Sequence, residues 1–260
     1  MRLASLLISK ININTCIFFV MLSLTVMPLS QAYGKEIRIG LVESPPYLHV
    51  KQGKASGPLV EYIVEMLQGE GYRLSLQVLP TKRGSRELLK GNIDILVPTA
   101  RVPGINLYLD KALYHSVPGL CFKKENFVPF LSSTSQFREL NIGVPAGTNL
   151  APALEKEMIN INWIEGMDVL ARGINLLRKE RITALFHPSP INVYHFTNPL
   201  SKDIACSYFH GYSTGQYLAY SIEVDDQKLD FISRRFQSAM KQQSFEFFFA
   251  TYMYDKRKLD

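Results

Sequence analysis

A step from helix to strand occupies residues 88–97, whose sequence is Leu-Leu-Lys-Gly-Asn-Ile-Asp-Ile-Leu-Val. Gly91 is typical of the residue that ends a helix, because glycine adopts the left-handed backbone conformation at low cost. The apolar run that follows, from Ile93 to Val97, is typical of a buried strand. Strands that alternate with helices form mostly parallel sheets with helices on both faces. This step therefore predicts an α/β fold.

The residues before this step repeat the same alternation. Alternating apolar residues predict strands at 37–41 and 74–79. Between them, apolar residues at helical spacing predict a helix at 58–68. A first series of strand–helix units therefore occupies the chain up to about residue 100.

A second series begins after Leu140. We predict strands at 141–144 and 183–186, and an amphipathic helix from Met167 to Leu177. A further helix at 150–158 follows Asn149, which is a suitable N-cap residue. Two successive series predict two lobes.

Three further segments complete the second half of the chain. Residues 119–122 and 216–220 are predicted to be the crossings between the two lobes. Apolar residues at helical spacing predict a last helix at 229–240.

The N-terminal residues have the composition of a secretory signal peptide. Arg2 and Lys10 precede an apolar run from about Ile13 to Leu29, and cleavage is expected after Ala32 or after Gly34. An uncleaved membrane anchor is the alternative, although the run is shorter than the roughly 18 apolar residues of a spanning helix. We therefore expect export and a periplasmic location in a Gram-negative-type envelope.

The charge of the chain argues against a nucleic-acid partner. The full sequence has 29 basic and 23 acidic residues, and loss of Arg2 and Lys10 with the signal peptide leaves 27 basic residues, a net charge of about +4. A nucleic-acid-binding protein gathers its Lys and Arg residues into one face or stripe. Here they are scattered, and the densest group, Lys256 to Lys258, lies at the end of the chain.

Two cysteines remain after cleavage, Cys121 and Cys206. An exported protein can oxidise such a pair to a disulfide, and two separate buried thiols are the alternative. The spacing of Cys and His residues does not match a zinc site. We expect no metal and no cofactor.

Four stretches together resemble the family 3 bacterial extracellular solute-binding proteins, which include receptors of ABC importers for polar amino acids. Residues 39–47 resemble the opening strand and aromatic turn, and residues 57–61 the start of the first helix. Residues 88–96 match the helix–Gly–x–x–Asp–strand step, and residues 142–148 match the strand and Gly-Thr turn that open the second lobe. The resemblance covers essentially the whole mature chain.

The resemblance implies a periplasmic-binding-protein type II fold, in which lobe 2 is inserted in lobe 1 and two crossover strands form the hinge. The expected divisions are a signal peptide at 1–32, the first part of lobe 1 at 33–118, lobe 2 with a hinge segment at 119–215, and the return to lobe 1 at 216–260. It also implies a small-molecule ligand and, as partner, an inner-membrane ABC permease or a sensor protein. We expect a monomer.

Amino-acid receptors of this family bind their zwitterionic ligand with an Arg after the third strand and an Asp at the end of a second-lobe strand. Here the usual Arg would fall at Ile105 or Asn106, and Pro188 stands where the Asp is expected. A proline side chain cannot bind an ammonium group. The sequence therefore disfavours an ordinary α-amino acid and favours another small polar or anionic solute.

Five residues are the candidates for ligand binding. Arg101 lies near the missing Arg, with a surface ion pair as its alternative role, and Tyr47 resembles the aromatic residue that stacks on the ligand, with packing of lobe 1 as the alternative. Gly147 and Thr148 could donate hydrogen bonds, or could simply form a turn. His187 could bind a polar group and make binding depend on pH, or could be structural.

Four other residues are candidates for lesser roles. Lys82 and Arg83 could add positive charge at the rim of the cleft, or could lie in a solvated first turn of a helix. Tyr114 could line the hinge or the cleft. Glu43 is the only acidic residue near the first binding loop, and no nucleophile motif or obvious pair of acids accompanies it. The sequence therefore predicts a binding protein, with a dehydratase-like enzyme or a ligand-free interaction module as alternatives.

Overall fold

The computed structural model describes residues 35–101, 104–105, 107–129, 134–148, 150, 156, 160–189, 202–209 and 211–257. The predicted signal peptide lies outside the described residues, as do Asn149 and most of the helix predicted to follow it. From Lys35 onward the chain forms one compact unit.

The described strands and helices are numbered here in chain order. The strands are β1 (Glu36–Leu41), β2 (His49–Lys51), β3 (Lys54–Ser56), β4 (Arg73–Val78), β5 (Ile95–Thr99), β6 (Tyr114–Ser116), β7 (Gly119–Lys123), β8 (Asn141–Pro145), β9 (Asn160–Ile164), β10 (Ala184–His187), β11 (Ile204–Tyr208) and β12 (Thr214–Tyr220). The α-helices are α1 (Pro58–Leu67), α2 (Thr81–Leu89), α3 (Val169–Arg178), α4 (Asp226–Gln242) and α5 (Phe245–Arg257). Short 3₁₀ helices occupy Lys124–Asn126 and Thr134–Glu139.

Lobe 1 is built on a five-stranded sheet with the order β4-β1-β5-β12-β6. Strand β1 is parallel to β4 and β5, whereas β12 is antiparallel to β5 and β6. One face packs against α1, α4 and α5 through a core that includes Ile39, Ile63, Phe231 and Phe245. The opposite face packs against α2 through Leu88 and its neighbours. Helices therefore cover both faces, as the sequence predicts.

Lobe 2 is built on a second five-stranded sheet with the order β11-β7-β10-β8-β9. Strand β8 is parallel to β9 and β10, whereas β7 is antiparallel to β10 and β11. Cys121 of β7 lies opposite Cys206 of β11, and the two form a disulfide. Edge strand β9 carries Trp163, the single tryptophan of the chain, with 52% of its surface exposed.

The chain crosses between the sheets twice. The first crossing lies between the end of β6 at Ser116 and the start of β7 at Gly119, and the second lies between Tyr208 and Thr214. The predicted crossing segments instead belong to β7 and β12, which pair within one lobe each. The crossings therefore lie just before the predicted segments, because these apolar residues complete the two sheets. The two-lobed α/β architecture is confirmed.

The helix-to-strand step at 88–97 forms as predicted, and its polar residue has an additional role. Helix α2 ends at Leu89, and Gly91 has the positive φ of 68° that favours glycine. Asp94, only 1% exposed, accepts hydrogen bonds from the backbone N–H of Arg38 at 2.7 Å and from its guanidinium at 2.8 Å. Lys228 of α4 lies 3.2 Å from the same carboxylate. These interactions lower the pKa of Asp94 in spite of its burial, so the ionised carboxylate ties β1 and β5 to α4.

Lobe 2 repeats the backbone pattern of this step with a neutral residue. The N–H of Asn141 in β8 donates to Oγ1 of Thr183 at 2.8 Å, and the N–H of Thr183 donates to the carbonyl of Asn141 at 2.8 Å. Thr183 is exposed, and Glu180 takes the positive-φ position with φ 55°. Among the described residues, no helix has the length and apolar character needed to cross a bilayer.

Candidate ligand-binding site

A cavity of about 230 Å³ lies between the two lobes. Lobe 1 contributes the segment after β1, the end of β5, the first residue of α2 and the start of β12. Lobe 2 contributes the end of β8 and the turn after it, the end of β10 and the first turn of α3, and both crossings add residues. The lining comprises Val42, Glu43, Ser44, Pro45, Thr81, Pro98, Thr99, Ala100, Pro118, Pro145, Gly147, Thr148, Val169, Leu170, Leu185, Phe186, His187, Pro188, Tyr212, Ser213, Thr214 and Gln216. This main cavity therefore lies at the carboxyl ends of parallel strands, where open α/β sheets bind ligands.

The lining of the main cavity is mostly apolar and hydroxyl-bearing. Hydroxyl groups come from Ser44 and Thr99 of lobe 1, from Thr148 of lobe 2 and from Ser213 of the second crossing, among others. Among the described lining residues, Glu43 is the only acidic residue, and none is Lys or Arg. Such a lining can accept and donate hydrogen bonds to a small polar molecule.

Gly147 and Thr148, two of the candidates for ligand contact, both line the main cavity. Gly147 has a φ of 87°, and a Cβ atom at this position would lie 3.0 Å from the backbone nitrogen of Lys82 in the opposite lobe. The turn that follows β8 therefore approaches the start of α2 across the cleft, and a side chain at Gly147 would obstruct this approach.

His187 also lines the main cavity, and it is 7% exposed. Its Nδ1 accepts a hydrogen bond from the backbone N–H of Ser189 at 2.9 Å. Burial lowers the pKa of His187 to about 4, so the imidazole is neutral at physiological pH. Because Nδ1 accepts, the proton of the neutral ring is assigned to Nε2, which is then a hydrogen-bond donor.

Glu43 lies where the two lobes contact each other. It is half-buried and accepts hydrogen bonds from the backbone N–H of Val50, at 3.4 Å, and from the backbone of Asp168 in lobe 2. Burial, together with the nearby Asp168 carboxylate, raises the pKa of Glu43. Within the described part of the chain, no ion pair forms at its carboxylate.

Direct contacts hold the lobes together in this structure. Lys82 of α2 lies 3.6 Å from Glu165 of lobe 2, and Asp168 of lobe 2 bonds to Glu43 of lobe 1. Together with the approach of Gly147 to α2, these contacts show that the two lobes touch each other at the cleft. Among the described residues, no group of three or more His, Cys, Asp and Glu side chains is arranged to hold a metal ion.

Solved structures of known proteins share this two-lobed arrangement. A mutant of ArgBP from T. maritima superposes with a TM-score of 0.69 at 17% identity, covering 85% of this chain and 96% of that one. The GluR0 ligand-binding core in complex with L-glutamate gives a TM-score of 0.68 at 14% identity, covering 84% and 98%. The ancestral amino-acid-binding protein AncCDT-1, described as a precursor of cyclohexadienyl dehydratase, gives 0.65 at 14% identity, covering 83% and 94%.

The fold is that of the amino-acid-binding proteins of ABC transporters. The resemblance drawn from the sequence is thus confirmed at the level of the fold. No protein-family model matches the chain, and no curated protein matches it.

Tyr47 lies away from the main cavity of this solute-binding-protein fold. Its ring packs 4.3 Å from the ring of Tyr114, 4.8 Å from Phe249 and 5.5 Å from Phe245, measured between centroids. Tyr114 is itself buried, and its hydroxyl lies 3.0 Å from Oγ of Ser44. These contacts correspond to the alternative role of Tyr47, packing within lobe 1.

Arg101 follows the lining residue Ala100, but it is exposed and does not itself line the main cavity. Its guanidinium lies 4.8 Å from the ring centroid of Tyr217 and 5.8 Å from that of Tyr108. These cation–π contacts hold the side chain over the middle of β12. A ligand role for Arg101 would require the side chain to leave these rings.

The positions at which the family's zwitterion-binding Arg and Asp are expected lie in different surroundings. Pro188 lines the main cavity, so the cavity wall presents a pyrrolidine ring at this position. Ile105 is 5% exposed and packs in the core beneath α2, and Asn106 lies outside the described residues. Neither Pro188 nor Ile105 supplies a charge to the cleft.

Several lining residues were not among the sequence candidates, including Ser44, Thr81, Thr99 and Gln216. Ser44, Thr81 and Thr99 follow or end strands of the first sheet. A general signal could have identified them, because ligands bind beyond the carboxyl ends of parallel strands. Gln216 could not be found in this way, since β12 runs antiparallel to its neighbours and reaches the cleft from its beginning.

Proposed function

We propose that this chain is an exported solute-binding protein that captures a small polar solute between its lobes and presents the closed form to an importer or a membrane sensor. The observation that carries the proposal is the cavity of about 230 Å³ that both lobes and both crossings line. A cavity with this construction opens when the lobes rotate about the crossings and closes around a solute. The similar proteins described above support the proposal, since the GluR0 core was solved with L-glutamate and AncCDT-1 is an amino-acid-binding protein.

We further propose that the solute is not a standard α-amino acid. A zwitterion needs a cation for its carboxylate and an anion for its ammonium group. The described lining has no Lys or Arg, and Pro188 replaces the expected Asp. Glu43 is present, but it already accepts two backbone hydrogen bonds.

Binding rather than catalysis is the proposed activity. A general acid–base mechanism needs two titratable groups with separated pKa values that face a common substrate. His187 and Glu43 both line the main cavity, but the pKa of His187 is lowered to about 4, so its imidazole is a poor base at neutral pH.

The test is a thermal-shift screen of the mature protein against amino acids, organic acids, amines, peptides and sugars, followed by calorimetry of the hits. A solute that binds only the native state raises the melting temperature as its concentration exceeds Kd. A shift with a standard α-amino acid would contradict the proposed ligand class, and no shift with any compound would favour an interaction module.

A pair of glycine variants tests whether binding needs closure of the lobes. Gly147→Ala places a Cβ atom 3.0 Å from the backbone nitrogen of Lys82, so we expect affinity for the hit to fall by about tenfold or more. Gly53→Ala is the matched control, because Gly53 also has a positive φ, of 74°, but no atom within 4 Å of the added Cβ. Equal affinities of the two variants would place the solute outside the cleft.

Export is tested separately by intact mass spectrometry of the protein from a periplasmic extract. Cleavage after Ala32 and cleavage after Gly34 give different masses. Recovery of the full-length chain in the membrane fraction would support the uncleaved anchor instead.

A further inference from the structure

A second cavity opens beside the main one and holds basic side chains. Its volume is about 410 Å³, and it lies between the start of α2 in lobe 1 and the segment from β9 to α3 in lobe 2. The two cavities share five lining residues, Val42, Glu43, Thr81, Pro145 and Val169, so they adjoin each other. We call this second space the annexe.

The main cavity alone is small for an elongated solute. Pockets for small molecules and cofactors usually measure roughly 300–1,000 Å³. The main cavity, at about 230 Å³, is below this range, and the annexe adds enough space to bring the site within it. An elongated solute could occupy both.

The charges of the two spaces differ. Lys82, Arg83 and Arg86 of α2 all line the annexe, whereas the described lining of the main cavity contains neither Lys nor Arg. Arg83 and Arg86 lie 4.0 Å and 3.5 Å from the same oxygen of Glu87. Two guanidinium groups thus share one carboxylate, and a guanidinium can bind another carboxylate or a phosphate through two parallel hydrogen bonds.

A carboxylate of the protein already lies at this position. Glu165 of lobe 2 approaches Lys82 to 3.6 Å, and both side chains are mostly exposed. An exposed ion pair contributes little to stability, so an anionic group of a ligand can compete with Glu165. The pair shows that the annexe accommodates a carboxylate against α2.

We propose that the annexe is a second ligand subsite, which binds the anionic end group, a carboxylate or a phosphate, of an elongated solute whose uncharged polar body occupies the main cavity. The proposal rests on the solute-binding function proposed above and specifies the class of solute. It separates two chemical requirements, hydrogen bonding in the main cavity and charge recognition by Lys82, Arg83 and Arg86.

The experiment compares matched pairs of probes on the mature protein by calorimetry. The probes are unbranched ω-hydroxy carboxylic acids of four to eight carbons and the corresponding ω-hydroxy amides, which have the same body without the charge. For the length that binds best, we expect the acid to bind about tenfold more tightly than the amide at about 50 mM salt. The preference should shrink at about 500 mM salt, where exposed charges are screened.

Variants assign the preference to the annexe. The double variant Arg83→Gln and Arg86→Gln should reduce the preference for the acid to about twofold or less while leaving the affinity for the amide unchanged. Lys90→Gln is the control, because Lys90 follows the same helix but does not line the annexe. Glu165→Gln should raise the affinity for the acid severalfold, since it removes the competing carboxylate.

The outcomes separate the two proposals. Equal affinities for acid and amide, or a preference that survives in the double variant, would overturn the annexe as an anionic subsite and leave the solute-binding function intact. Failure of every pair to bind would contradict the annexe proposal, and failure of the broader thermal-shift screen would in addition contradict the solute-binding function.

Discussion

In lobe 1 the residue before the central strand β5 is Asp94, and in lobe 2 the residue before β10 is Thr183. Both accept a hydrogen bond from the backbone N–H of the neighbouring strand, Arg38 in β1 and Asn141 in β8, and both return one from their own N–H. The backbone geometry is therefore the same. Asp94 is buried and binds two cationic side chains, whereas Thr183 is exposed and neutral.

The two lobes therefore stabilise their sheets by different interactions. Lobe 1 uses an ionised carboxylate that ties its sheet to α4 through Lys228. Lobe 2 has a neutral hydroxyl at this position, and the Cys121–Cys206 disulfide fixes its edge strand β11 to β7. Lobe 1 should accordingly depend on charge, and lobe 2 on a covalent bond.

The largest effect is expected from Asp94→Ala. This change leaves Arg38 and Lys228 without their buried partner and removes the acceptor of the Arg38 backbone N–H, so the free energy of unfolding should fall by about 3–5 kcal/mol. Urea denaturation at about pH 7 measures the loss. Thr183→Ala is the matched control in lobe 2 and should cost only about 0.5–1.5 kcal/mol. Similar losses in both variants would refute the comparison of the lobes.

The second effect concerns the disulfide. Cys121 and Cys206 are 85 residues apart, so their bond restricts a long loop in the unfolded chain. Replacing both with Ser should lower the free energy of unfolding by about 2–4 kcal/mol. Hydrogen exchange should show lost protection in β11 and β7, with β1 and β5 unchanged. Uniform loss of protection over both lobes would show that the disulfide stabilises the molecule as a whole.

The third effect is a difference in the pH ranges over which the lobes lose stability. The folded-state pKa of His187 is lowered to about 4, from 6.5. As the pH falls from about 6.5 towards 4, the unfolded chain binds a proton at this imidazole before the folded chain does, so the free energy of unfolding decreases over this range. From about pH 7 to about pH 5 this loss should reach about 2 kcal/mol. The pKa of Asp94 is also lowered, but from 3.8, so its contribution is lost only at lower pH.

Denaturation of His187→Gln across the same range measures the contribution of the imidazole. The variant should lose about 2 kcal/mol less than the wild type between about pH 7 and about pH 5. Asp94→Asn should retain the wild-type dependence in that range. An unchanged slope in His187→Gln would show that another group of the molecule titrates there.

The sequence was sufficient for the architecture because the strand–helix steps are local. Gly91 ends a helix by its own backbone freedom, and the apolar run after it needs burial wherever it lies. Helix α5 was not predicted, since its residues from Phe245 onward are aromatic on several sides and lack a clear period. It forms because Phe245 packs beside Tyr47 and Tyr62 in lobe 1.

The site was less accessible from the sequence because its residues come from distant segments. Gly147, Thr148 and His187 were identified from strand ends, and all three line the main cavity. Tyr47 and Arg101 are candidates because of the family resemblance, but their side chains pack against neighbouring aromatic rings and neither is among the lining residues. The pairing of Cys121 with Cys206 also required the register of β7 and β11, which no local pattern specifies.

The single indole of the chain provides an internal optical reporter. Trp163 is half exposed on edge strand β9 and lies two residues before Glu165, whose carboxylate lies 3.6 Å from Lys82 of lobe 1. Its emission comes from one known position, so a change in intensity or wavelength reports on the boundary between the lobes without any attached dye. The fluorescence of Trp163 therefore offers a dye-free signal for testing the proposed closure, and solutes can be ranked by the change that each one causes.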